Sequence, residues 1–280
     1  MFPYKQYFVS HPSSTQLILF AGIISSLWVI EAISLSTSLK DKWNHTVTNL
    51  LFIFTALPVQ LIMTIFVLMI SSWVVANHWG LLFLLPHHGS FLVEYILGFI
   101  VLDFCEYVYH IIMHKIKPFW KFHLIHHSDL GLDVSTTVRE HPGETFFRMC
   151  FLIIWVFIVG ASFGVLLLGQ TIQTVANITS HTQFRLTGRA EKLIGWLFIT
   201  PNLHHVHHHY QLPYTDCNYG DVLSIWDRVF GTYARPICES KLTYGIDTLM
   251  DKKVNAKFIE ILKIPLRKQI VEKDVTYRAT

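Results

Sequence analysis

Charge is what this 280-residue chain most lacks: 15% of its residues are charged, where soluble globular chains carry about 25%. With a mean hydropathy of +0.41, that shortage argues against an ordinary soluble domain and points to a chain embedded in a membrane. The net charge is only +3, which gives no reason to expect a nucleic-acid partner. Cysteine is scarce too. Cys105, Cys150, Cys217 and Cys238 form no Cys-x-x-Cys pair, so neither a zinc knuckle nor a redox dithiol is indicated and packing is their expected role. No small-residue cleavage site follows Met-Phe-Pro-Tyr-Lys at the start, so the first apolar segment is expected to be retained.

What is present is a series of long apolar runs. Thr15 to Leu35 is 21 residues long, enough to cross a hydrocarbon layer of about 30 Å, with Glu31 near its end, in reach of the interface. The connector Lys40-Asp41-Lys42-Trp43-Asn44-His45 is basic and carries an interfacial aromatic, which predicts a cytoplasmic location. Leu50 to Ala76 is a second span in which Pro58 marks a kink or the start. His78, His87 and His88 then read as loop or interface histidines on the opposite membrane face. A third span starts near Phe91 and contains Glu94 and Asp103. An acid at membrane depth marks function by default, although Glu94 is close enough to one end to snorkel.

Glu144 to His181, read as one span, delivers His181 and the last histidine cluster to the wrong face. Splitting it at Gly160-Ala161-Ser162-Phe163-Gly164 gives an outgoing helix, Thr145 to Val159, and a returning one, Val165 to about Phe184, with Gln173, Asn177 and His181 on one stripe. Trp196 to Ile199 reads as an interfacial patch, and Met250 to Thr280 as a charged tail with a short helix plus disorder. The predicted fold class is all-α: a multi-pass bundle of four to five membrane helices with a cytoplasmic helical cap. Residues 1–90 supply N-terminal membrane helices, 91–235 the catalytic region and 236–280 the tail.

The chain is rich in one ligand type. His110 and His114 stand four apart, His123, His126 and His127 follow, and His204, His207 and His208 repeat the same spacing. Residues at i, i+3 and i+4 share a helix face, so each group is expected to aim its nitrogens at one point. One mononuclear zinc takes about four ligands, so eight imidazoles imply two metal ions. His181 is expected to join them from the returning helix. His141, before a proline, is balanced between a ligand and a structural hydrogen bonder, and His205 and His209 fall on the other face of their helix, toward solvent or substrate. Asp103, Asp216, Asn218 and Asp227 are candidates to accept the second N–H of a ligating imidazole. Tyr107 and Trp120 read as membrane-interface anchors.

These residues resemble the fatty acid hydroxylase and sterol desaturase superfamily of integral membrane di-iron oxygenases. Asp103, Tyr107, His110 and His114 look like its first box, and Trp120, His123, His126, His127 and Ser128 like its second. Arg139-Glu140-His141-Pro142 is similar to its Arg-x-His-Pro, and Thr200, Pro201, His204, His207 and His208 to its last box. Asn218 to Gly220 and Trp226 to Tyr233 continue the likeness. The chain departs from some hydroxylases at Asn177, where they have a histidine, and at Thr182-Gln183, where Ser-Asn is usual, so nine ligands are expected rather than ten.

The resemblance implies two iron ions held by His110, His114, His123, His126, His127, His181, His204, His207 and His208, with O2 as co-substrate. It implies hydroxylation or desaturation of an unactivated C–H position in a sterol, fatty acyl or related lipid drawn from the bilayer. No haem domain or flavin fingerprint is seen, so an external electron donor is expected, a cytochrome b5-like or ferredoxin-like protein, which the basic group Lys115, Lys117 and Lys121 can dock. The active site is expected on the cytoplasmic face, in the endoplasmic reticulum of a eukaryote or the inner membrane of a bacterium. The alternatives are a histidine-rich metal transporter or binding protein, which needs a polar path across the bilayer, and a metal hydrolase, which needs a His-Glu-x-x-His base.

Overall fold

The computed structural model describes residues 12–34, 38–85 and 90–267 and, among them, contains helices and isolated bridges but no strand. Five long helices form the bundle: α1 (Pro12–Ser34), α2 (Leu39–Ala76), α3 (Phe91–Lys115), α5 (Pro142–Val159) and α6 (Phe163–Ser180). Shorter helices build the cap: α4 (Lys117–His127), α7 (Gly188–Ile194), α8 (Pro201–His207), α9 (Ile225–Val229) and α10 (Phe258–Leu262). Four segments, Ser14–Ser34, Leu39–Leu84, Leu92–Lys115 and Pro142–Val159, are long and apolar enough to cross a membrane. Helix α6 falls outside that set because Gln170, Gln173 and Asn177 interrupt its apolar surface.

The division of Glu144 to His181 into an outgoing and a returning helix is found where expected. Gly160 ends α5 in the left-handed conformation (φ 76°) and Ser162 caps α6 by accepting from Val165 N–H. A Cβ on Gly160 would lie 2.3 Å from the Trp79 carbonyl oxygen, and one on Gly80 2.4 Å from the Gly160 backbone, so this corner is closed by two glycines in contact. Ser162 also donates to Glu94 at 2.8 Å. Glu94 is therefore tied into the hairpin rather than snorkelling to water. His87 and His88 lie outside the described residues.

Helix α2 differs from its expected form. It runs 38 residues without ending at Pro58, about 57 Å at 1.5 Å per residue, nearly twice the hydrocarbon thickness. Its first three turns, expected as a connector, therefore stand clear of the membrane and join the cap. Lys42, 4% exposed in its side chain, pairs there with Glu31 at 2.9 Å and Asp133 at 2.8 Å. Glu31 is fully buried and also accepts from Gln183 N–H at 2.9 Å. An acid near the end of a span was expected to reach water; a lysine one helix away reaches it first, because two buried opposite charges cost less together than apart.

Two apolar cores follow. Val67, Leu102, Cys105, Met149, Leu152, Val156, Val165 and Leu166 join α2, α3, α5 and α6. In the cap, Phe52, Trp120, Leu124, Ile125, Ile246, Leu249, Ile261 and Ile264 form the second. The tail is thus partly folded: Ile261 and Ile264 are fully buried, while 268–280 lie outside the described residues. Cys105 and Cys217 are buried as expected, but Cys238 is exposed. Trp196 (62% exposed) and Phe198 (43%) do form an exposed apolar patch.

Candidate metal centre

Helices α2 and α5 meet the cap with their N-terminal turns, through Lys42 and Glu144, whereas α3 and α6 bring their C-terminal turns there with His110, His114 and His181. The cap helices are started by prolines in the first turn, Pro118 in α4 and Pro201 in α8, where a missing N–H costs nothing. Thr200 caps α8 by accepting from Leu203 N–H. A fixed first turn fixes the direction in which each later histidine points.

The nine expected histidines are brought together, but as two groups. His110, His114, His123, His127 and His207 form one cage, and His126, His181, His204 and His208 the other; within each, the ligand atoms lie within 4.8 Å of one another. The expectation that His123, His126 and His127 share one point is corrected, as it is for His204, His207 and His208. Successive helix residues are rotated by about 100°, so His126 and His127 diverge into different cages, and His207 and His208 do the same. Both α4 and α8 therefore serve both cages. The rings of His127 and His208 stack across the boundary, centroids 4.4 Å apart and planes at 18°.

Hydrogen bonds at the outer nitrogens decide what the inner ones can do. His110 Nδ1 lies 2.8 Å from the Tyr219 carbonyl and His207 Nδ1 2.7 Å from that of Cys217. His123 Nδ1 lies 2.6 Å from Glu144 Oε1 and His114 Nδ1 3.3 Å from Asp216 Oδ1. In the second cage His181 Nδ1 meets the Asn177 carbonyl at 2.8 Å. A carbonyl or carboxylate only accepts, so these rings carry their proton on Nδ1 and turn an Nε2 lone pair inward.

Inside the cages the inner nitrogens lie close to one another. His110 and His123 Nε2 are 3.2 Å apart, and in the second cage the contacts His126–His181, His181–His204 and His204–His208 are each 3.1 Å between Nε2 atoms. Where both nitrogens lack a proton, such a contact is not a hydrogen bond; it is the separation of donors arranged around a shared cation. His127 is fully buried, with no hydrogen-bond partner on either ring nitrogen. Burial, and then the neighbouring imidazoles, hold His126, His127, His204 and His208 well below the ordinary histidine value, and His181 falls to about 4 through burial. The rings are neutral, the form that binds metal. An all-imidazole donor set suits iron, zinc, copper or nickel.

The outer residues are placed differently from expectation. Asp103 accepts from Trp226 Nε1 at 2.7 Å and from Val222 N–H, Asn218 bonds the carbonyls of Leu203 and Ala234, and Asp227 accepts from the N–H groups of Tyr219 and Gly220. None of the three touches an imidazole. They hold the 217–227 loop, whose carbonyls meet His110 and His207. Burial pushes Asp227 up to about 6 despite its hydrogen bonds. Asp216 does meet His114, and also binds Lys115 at 2.6 Å, which takes one cation out of the expected docking group.

His141 follows the structural one of its two readings: it enters neither cage and caps α5, its Nδ1 accepting from Gly143 N–H at 2.9 Å. Other expectations are corrected. His205 and His209 are buried, not open to solvent or substrate, because the 241–244 segment covers that face; His205 meets Tyr244 Oη at 2.7 Å and His209 the Lys241 carbonyl at 3.3 Å. Tyr107 and Trp120, each 1% exposed, are buried rather than interfacial, Trp120 lying 4.9 Å from the His114 ring. Glu144 and Glu106 were not anticipated. The signal for Glu106 was present in the sequence, an acid three residues after Asp103 within an apolar run.

Residues 95–232 match the fatty acid hydroxylase family, and this region, which carries both cages, belongs to that family. The chain is 29% identical over 188 residues to the ornithine lipid hydroxylase OlsE of Rhizobium tropici, covering 67% of this chain and 56% of the relative. It is 29% identical over 159 residues to the alkylglycerol monooxygenase of Xenopus tropicalis (54% and 32%) and 29% over 151 to that of Homo sapiens (53% and 32%). The chain thus spans just over half of the first relative and about a third of the others. No solved structure gives a significant match. With four helices long and apolar enough to cross a membrane, the chain is an integral membrane protein whose central region matches the fatty acid hydroxylase family.

Proposed function

We propose that the protein is a di-iron oxygenase that hydroxylates an unactivated C–H position of a membrane lipid. The observation that carries this reading is the pair of adjacent, all-histidine cages whose inward Nε2 atoms lie 3.1–3.2 Å from one another. The first cage would hold one iron with His110, His114, His123, His127 and His207, and the second the other with His126, His181, His204 and His208. When bound, the irons would supply reductive use of O2: substrate, O2, two electrons and two protons give alcohol and water. The relatives named above act on lipids by hydroxylation or monooxygenation, which favours hydroxylation over desaturation here.

The chain's own contribution is orientation and dryness. Glu144, Asp216 and the carbonyls of Tyr219, Cys217 and Asn177 fix ring tautomers, as outer partners of metal-bound histidines do. Asp227 and Asn218 stiffen the loop that bears two of those carbonyls. Burial of the rings excludes water from the oxidation site. Electrons would come from a separate carrier docked near the exposed Lys117, and the catalytic region would be residues 91–235, on the cytoplasmic face.

The test is metal analysis with Mössbauer spectroscopy on protein purified in mild detergent after iron supplementation, with His126→Ala alongside. About two irons per chain, reduced in the variant, and O2- and reductant-dependent oxidation of bilayer lipids support the reading. A chain that binds no metal under these conditions overturns it.

A further inference from the structure

Beside the first cage, between α3, α5 and α6, lies a cavity of about 20 Å³ lined by Asp103, Glu106, Gln170 and Gln173 on its polar side and by Leu102 and Leu166 opposite. Glu106 and His110 are one turn apart on the same face of α3, a rise of about 6 Å, so the cavity sits directly beneath the cage. From the cage side, the Asp221 carboxylate closes the gap: it lies 4.0 Å from His110 Nδ1 and accepts from Gln173 Nε2 at 2.7 Å.

The polar groups around this space are unbalanced. Both oxygens of Asp103 already accept, from Trp226 and Val222. Gln173 gives one amide proton to Asp221 and accepts from Gln170 at 3.2 Å, which leaves one N–H for the neighbouring Glu106. A carboxylate offers about four acceptor sites. Glu106, 7% exposed, therefore lines the cavity with acceptor capacity that the protein does not fill. Arg148, the cation whose charge reaches Glu106, is committed to Glu140 at 3.1 Å and to Gln60. Space is left by Gly169, whose added Cβ would touch only Leu102, at 3.7 Å.

We propose that this cavity is a substrate subsite in which Glu106 receives a small hydrogen-bond-donating group of the lipid, an ammonium or a hydroxyl, next to the carbon to be oxidised. The volume admits one water-sized group, which suits –NH3+ or –OH and excludes a phosphate. The surplus of acceptors demands a donor, because a buried acceptor left unmade is costly. The assignment rests on the oxygenase reading for what happens to the neighbouring carbon, but not for binding itself.

The experiment is photolabelling of the full chain in nanodiscs with a diazirine-bearing dodecylamine, with label positions mapped by mass spectrometry and dodecylamine, 1-dodecanol and dodecyl methyl ether as competitors. Labels on the cavity-lining turns of α3 and α6 are expected, with competition by amine or alcohol at least ~10-fold stronger than by the ether. Gly169→Leu, which fills the space without touching a polar group, should abolish the labelling. Glu106→Gln keeps the shape and one acceptor: loss of amine competition alone identifies an ammonium, and loss for both amine and alcohol shows that a hydroxyl serves as well. Equal competition by the ether, or labelling unchanged in both variants, overturns the proposal. Iron content and helicity of each preparation are read separately, so a chain that discriminates donors yet holds no iron would retain this subsite and discard the oxygenase.

Discussion

His126 and His127 are consecutive, yet His126 Nε2 lies 3.1 Å from His181 in one cage while the His127 ring stacks 4.4 Å from His208 against the boundary of the other. One step along α4 is a step between the two cages. Substitutions at neighbouring residues should therefore have separable effects.

For His123→Ala and His204→Ala, each of which strips a different cage, iron content should fall from about two to about one per chain. The remaining iron should belong to the intact cage. Metal analysis and Mössbauer spectra of the two variants check this, and two spectra with the same residual site would contradict the separation.

Glu144→Gln removes the charge that His123 Nδ1 meets at 2.6 Å. Outer partners of this kind are worth ~10–100-fold in metal affinity. The first cage should lose iron to a chelator faster than in the unaltered chain, while the second is unaffected; competition with a calibrated chelator measures it.

Lys42→Met leaves Glu31 and Asp133 buried without their shared cation, a change that costs roughly 3–5 kcal/mol. Glu31→Gln should cost less, because Lys42 keeps Asp133. Thermal unfolding in detergent should rank the variants in that order, and a Lys42→Met chain as stable as the parent would refute the role given to the pair.

Acid should destabilise the metal-free chain through its cap histidines. His181 sits at about 4, and His126, His127, His204 and His208 well below 6.5, so between those values the unfolded chain binds more protons than the folded one. Stability should then be complete above pH 6.5 and fall as pH drops toward 4. Bound metal should move that loss to lower pH, which unfolding curves with and without iron would reveal.

The histidine spacing, the hairpin at Gly160 and the helical architecture were legible in the sequence, because each follows from local periodicity or from a residue that ends a helix. The allocation of ligands between cages was not. It depends on how α4 and α8, with Trp120, Leu124 and Leu203 buried on their inner faces, are rotated against α3 and α6. Partners distant in sequence were equally hidden: Lys42 with Asp133, Tyr244 over His205, and Asp103 with Trp226, 123 residues away. Acids beside helix starts, such as Glu144 two residues after Pro142, read as ordinary first-turn charges and so concealed a partner of His123.

The sharing of α4 and α8 between both cages has a mechanical consequence. The distance between the two cages is gauged by the rotation of one residue to the next within a helix, not by the docking of independent parts. Breathing of the bundle can shift both positions together but cannot easily spread them, whereas α6, which gives only His181 to the cages while its Gly169, Gln170 and Gln173 face the cavity, is free to be reshaped. On the subsite proposed above, substrate choice would be retuned along α6 while the spacing of the cages stays the same.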